Sequence, residues 1–114
     1  MDYKTACSFL ISQAIVSNPN GDTFLARLQQ GKAPVPGQVT NILLALKIVF
    51  ESMQGLTSIE RELVYSLYQL SFESRERFEA GRKLGVAWPP LLDEDLNRIN
   101  KAVKSIFAGV WQDQ

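Results

Sequence analysis

All five prolines of this 114-residue chain fall at three places, Pro19, Pro34 with Pro36, and Pro89 with Pro90, and that placement limits what the chain can build. A proline inside a helix loses a backbone hydrogen bond and clashes with the preceding turn, so each cluster ends the element before it. Between the clusters lie long proline-free stretches whose apolar residues recur every three or four positions, the pattern of helices rather than strands. The expected fold is all-α: a single domain over residues 1–114, built as a bundle of about five helices with one helix much longer than the rest.

Residues 3–16 carry a stripe of Tyr3, Cys7, Leu10, Ile11 and Ala14, and the turn-forming run from Ser17 to Gly21 stops it. A short helix over 23–30, with Asp22 available as its cap, presents Phe24, Leu25 and Leu28 before Gly31 closes it. Residues 38–53 are the most apolar stretch, with Lys47 the one charge between Ile42 and Phe50. A helix of that composition is expected to be wrapped on several sides, along a spine of Val39, Leu43, Leu46, Phe50 and Met53.

Thr57 and Glu60 have the spacing of a capping box, in which hydroxyl and carboxylate each satisfy the other residue's amide. The fourth helix is predicted to start there and to run without proline to Leu84, roughly 40 Å at 1.5 Å per residue. Its first half is crowded with apolar residues and its second half is charged, with Phe78 the one large apolar side chain. Such a helix is expected to be buried at one end and to project, or cover a partner, at the other. The last helix begins near Leu91 or Leu92, carries Asp93, Glu94 and Asp95 in the first turn where the helix dipole favours carboxylates, and buries Leu92, Leu96, Ile99, Val103, Ile106 and Phe107. Gly109 is its predicted end.

The chain has no histidine and one cysteine, Cys7. The usual general base near neutral pH, the usual partner of a nucleophile and the commonest metal ligand are therefore missing together. Twelve basic residues balance twelve acidic ones, which leaves no field to attract nucleic acid or an anionic membrane. A lone thiol cannot close an intrachain disulfide and no stretch approaches the about 20 apolar residues that cross a bilayer, so the expected compartment is the cytoplasm.

Glu73, Glu76 and Glu79 share a helix face in the manner of carboxylates that hold paired metal ions, but interleaved Arg75, Arg77, Arg82 and Lys83 turn them into ordinary ion pairs such as Glu73 with Arg77 and Glu79 with Lys83. The same glutamates cancel those cations as a phosphate or nucleic-acid site. Gly81 and Gly85 lack the spacing and the following Lys of a phosphate loop. Cys7 reads as a small core residue. No catalytic, cofactor-binding or metal-binding set is expected.

Aromatic residues are the stronger signal. One face of a bundle helix cannot bury Leu63, Val64, Tyr65, Leu67, Tyr68, Leu70 and Phe72 together, so Tyr65, Tyr68 and Phe72 are candidates for a second surface. Trp88, ahead of two prolines, is a loop anchor that would join the interface if exposed, and Trp111 in the apolar tail is a further candidate. The expected function is a non-enzymatic interaction module, homodimeric and binding another protein. The alternative is a small-ligand or pigment carrier with a pocket between the third, fourth and fifth helices, lined by Tyr65, Tyr68 and Trp111.

Three segments, LARLQQGK from Leu25, PGQVT from Pro36 and WPPLL from Trp88, together resemble a small, uncharacterised, all-helical cyanobacterial family. The resemblance covers most of the chain and implies the helical fold without an established activity. Similar chains are sometimes labelled dethiobiotin synthetase, an activity that needs a nucleotide-phosphate loop and a larger α/β domain, neither of which these residues supply.

Overall fold

The most apolar segment of the chain becomes the helix against which its neighbours pack. The computed structural model describes residues 1–112. In it α1 spans Tyr3–Gln13, α2 Phe24–Gln29, α3 Gln38–Ser52, α4 Arg61–Tyr68, α5 Ser74–Lys83 and α6 Leu92–Ala108, with a π turn at Gln69–Glu73. Tyr68, Gln69, Glu73 and Ser74 keep right-handed helical backbone angles, so α4, the π turn and α5 form one rod over residues 61–83. Counted by rods, this is the all-α bundle of five helices read from the sequence, with no strand among the described residues.

α3 packs along both α1 and α6 and buries Ile42, Ala45, Leu46 and Val49 completely. The buried line differs from the predicted spine: Val39, Leu43 and Phe50 are half-buried and Leu44 is exposed. A helix held from two sides buries the wedge between its two contact lines, which need not be its most apolar stripe. α1 behaves alike, burying Ala6, Leu10 and Ala14 while Tyr3 is exposed and Cys7 is half-buried. In α6 the predicted stripe is observed except at Phe107, which faces outward.

The rod begins later than the sequence suggests. Glu60 has extended backbone (φ −59°, ψ 138°) and makes no side-chain cap, so the Thr57 and Glu60 box does not form. The reason is distance. α4 packs on α1 rather than alongside α3, and residues 56–60 cross from α3 to α4 outside any helix, which reaches further per residue than the rise of about 1.5 Å in a helix. Ile59 packs on the core from this segment. Within the rod, the hydroxyls of Ser66, Ser71 and Ser74 donate to the carbonyls of Glu62, Leu67 and Leu70. Such bonds compete with the regular ladder, and the π turn lies where two of them meet.

One glutamine ties three connections together. The Gln38 amide donates to Gln13 Oε1 at 2.8 Å and to the Asp22 carbonyl at 2.9 Å, and its own Oε1 accepts from the Val35 amide at 3.0 Å. Gln13 Oε1 also accepts from the Phe24 amide at 3.0 Å, so the end of α1, the start of α2 and the proline loop before α3 share one half-buried polar knot. Thr23, not Asp22, caps α2, taking the Ala26 amide at 3.3 Å, which leaves Asp22 to pair with Arg27 at 3.0 Å. Replacing Gln38 by Leu strands the Asp22 carbonyl and the Val35 amide without partners. The Gln38→Leu variant is expected to lose about 2 kcal/mol of stability, read as a lower midpoint in urea unfolding with an unchanged slope.

Candidate interaction surface

Leu63, Leu67, Leu70, Ser74, Phe78 and Gly81 recur at three- and four-residue steps along the rod, and all are buried. α1 covers the α4 end, α6 covers the π turn, and α2 covers α5. That inward stripe turns the opposite side to solvent. Tyr65, Tyr68 and Phe72 stand there with 61%, 44% and 50% of their surface exposed. The rings of Tyr68 and Phe72 stack with centroids 5.3 Å apart at 19°. The three residues that the sequence singled out on the fourth helix therefore share one outward aromatic face.

The charged half of the rod does not project, in contrast to the expectation from composition. Phe78 and Gly81 bury against the bundle, and Arg75 crosses to α6, where it pairs with Asp93 and donates to Asn97 at 2.8 Å. Glu73 pairs with Arg77 at 3.8 Å as expected. Glu79 does not pair with Lys83; it takes Arg82 at 2.6 Å, one position nearer. Among the described residues no group of three or more carboxylate or thiol side chains is placed to hold a metal ion.

Trp88 sits inside this arrangement as an anchor. Its ring stacks on Phe78 with centroids 5.7 Å apart, and its indole N–H donates to the Phe78 carbonyl at 2.9 Å. Gly81 makes the fit, since a Cβ there would lie 2.5 Å from the indole Cζ2. The half-buried indole thus pins the proline loop to α5, at the far end of the rod from Tyr65.

Trp111 is separate from both. It meets Phe50 edge-on at 5.1 Å, and the Lys47 ammonium lies 3.8 Å from its ring centroid. With Leu43, Leu44 and Ala102 it lines a cleft of about 450 Å³ between α3 and α6, whose charged side is formed by Lys47, Arg98 and Lys101. This cleft differs in place from the pocket read in the sequence. The α4 residues Tyr65 and Tyr68 do not line it, because the inward stripe of the rod turns them the other way.

Cys7 faces Tyr3 on α1, where burial raises the thiol pKa above its ordinary value and outweighs the Tyr3 hydrogen bond that lowers it. The nearby Glu60 carboxylate pushes in the same direction as burial. The thiol is accordingly protonated at neutral pH, which fits a packing role.

Comparison with protein-family models, curated proteins and solved structures finds no match to this chain. Its class is set by its own residues: an all-α bundle with an aromatic face on its longest rod. The Trp88 anchor is directly testable. Gly81→Ala should gain about 1 kcal/mol from helix propensity but lose about 2 kcal/mol by displacing the indole, for a net destabilisation with a red-shifted tryptophan emission. In a Trp88→Ala background the same change should become stabilising, and a double-mutant cycle from urea unfolding reads that reversal.

Proposed function

We propose that this chain is a non-enzymatic protein–protein interaction module that works as a homodimer through the aromatic face of its long rod. The observation that carries the reading is the outward cluster of Tyr65, Tyr68 and Phe72, opposite a fully occupied inward stripe. Apolar residues scattered singly over a surface are ordinary, whereas adjoining aromatics on one helix face are what association covers. Aromatic side chains are enriched in interface cores, and zero net charge leaves no global repulsion between copies. The reading sets the module in the cytoplasm, where a lone thiol stays reduced. No helix among the described residues is long and apolar enough to cross a membrane.

A second reading, a carrier of a small amphiphile, is favoured by the cleft between α3 and α6. Lys47 supports it: its ammonium rests over Trp111 at the cleft and has no ion pair among the described residues. An apolar floor with a cation beside an indole suits a ligand with a flat apolar body and an anionic group.

Two measurements separate these readings. By sedimentation equilibrium the chain should be a dimer, and Tyr68→Ser with Phe72→Ser should return it to monomer while leaving far-UV circular dichroism nearly unchanged. A wild-type chain that stays monomeric at high concentration defeats the first reading. For the second, anilinonaphthalene sulfonate added to a Trp88→Phe variant should quench Trp111 emission saturably, with several-fold weaker binding after Lys47→Met. Absence of saturable quenching removes it.

A further inference from the structure

The aromatic face is bracketed by two charges of opposite sign at equal spacing. Arg61 lies four residues before Tyr65, and Glu76 lies four residues after Phe72; each step of four keeps the charge near the aromatic face of the rod. Both side chains are exposed. Neither makes an ion pair or side-chain hydrogen bond among the described residues, although Arg75, Arg77, Glu73 and Glu79 around them are all paired. Four charges of the rod, Arg61, Glu62, Glu76 and Lys83, make no ion pair among the described residues, and of these Arg61 and Glu76 are the two that stand four residues from an aromatic of the exposed face.

We infer that the partner on this face is a second copy of the chain, seated antiparallel about a two-fold axis beside Tyr68 and Gln69, with Arg61 of each copy paired to Glu76 of the other. The inference rests on the homodimer reading above and specifies its geometry. Arg61 and Glu76 lie equally far along the chain from the midpoint between Tyr68 and Gln69, and so do Tyr65 and Phe72. An antiparallel two-fold arrangement therefore sets Tyr65 against the partner's Phe72 and brings each cation to an anion, twice per dimer. Two-fold interfaces are self-complementary in this way: if one residue meets a second, the second meets the first. A parallel arrangement in register would set Arg61 against Arg61 and Glu76 against Glu76. The Arg61 and Glu76 pair thus favours one orientation and opposes the other.

The test is a charge-swap series read by sedimentation equilibrium. Arg61→Glu alone and Glu76→Arg alone each place like charges at both ends of the dimer, and each should weaken self-association by about tenfold or more at low salt. Mixing the two single variants should restore association as a heterodimer, since Glu at 61 then meets Arg at 76 and the native pair is kept at the other end. The double variant with both swaps in one chain should recover the homodimer. Circular dichroism of each variant checks that the exposed substitutions leave the helices intact. If the wild-type chain dimerises but the single swaps associate as tightly as wild type, or the mixture fails to recover, the antiparallel arrangement is wrong while the aromatic interface stands. A wild-type chain that is monomeric overturns both.

Discussion

The exposed face of the rod depends on its buried face. Leu63, Leu67, Leu70, Ser74 and Phe78 are claimed by three different helices, α1, α6 and α2, and a rod held at three points along its length cannot roll to hide Tyr65, Tyr68 and Phe72. Turning it by about half a circle would bring the aromatics inward only by driving Leu67 and Leu70 into water, at about 2 kcal/mol for each leucine. The aromatic face is the consequence of a core that is already full.

The connections hold that arrangement by polar and steric tethers more than by length. Gln38 and Gln13 fix where α2 leaves α1 and where α3 begins. Trp88 fixes how the chain leaves α5 for α6, using a glycine as its seat and a backbone carbonyl as its anchor. Arg75 then fastens α5 to the first two turns of α6 through Asp93 and Asn97. Each tether is local, yet together they set the register of the rod against its neighbours. A rod with a fixed register presents a surface that loses little conformational freedom on meeting a partner.

The sequence made the elements legible because their punctuation is chemical. Three proline clusters and the glycines at 31 and 109 mark boundaries that the structure keeps, Gly31 and Gly109 taking left-handed backbone at φ 71° and 75°. The Thr57 and Glu60 box misled because a local capping pattern was overruled by a long-range demand: residues 56–60 have to span the gap from α3 to α4. Stripe positions slipped in α1 and α3 because those helices are packed on more than one side, and periodicity alone names a single face. Outward exposure of Tyr65, Tyr68 and Phe72 was legible as a surplus, since more apolar residues were present than one face could bury. The Gln13 and Gln38 knot was hidden, as neither residue type signals burial by itself. The cleft beside Lys47 has one trace in the sequence, a single charge in an apolar run three residues before Phe50, which by itself does not distinguish a cleft from a solvated edge.

An aromatic strip alone would be an indiscriminate surface. Stacked rings offer area without direction, and two such strips could meet parallel, antiparallel or out of register with similar burial. Charges at the ends change that, because exposed ion pairs add little affinity but penalise every wrong alignment in which like signs meet. Tyrosine at two of the three positions works in the same sense: the ring supplies contact area while the hydroxyl keeps the uncovered face compatible with water. As the interface proposed above, two tyrosines and a phenylalanine bracketed by opposite charges would give association that is selective and reversible, and a strip of leucines at those positions would give up both properties for raw affinity.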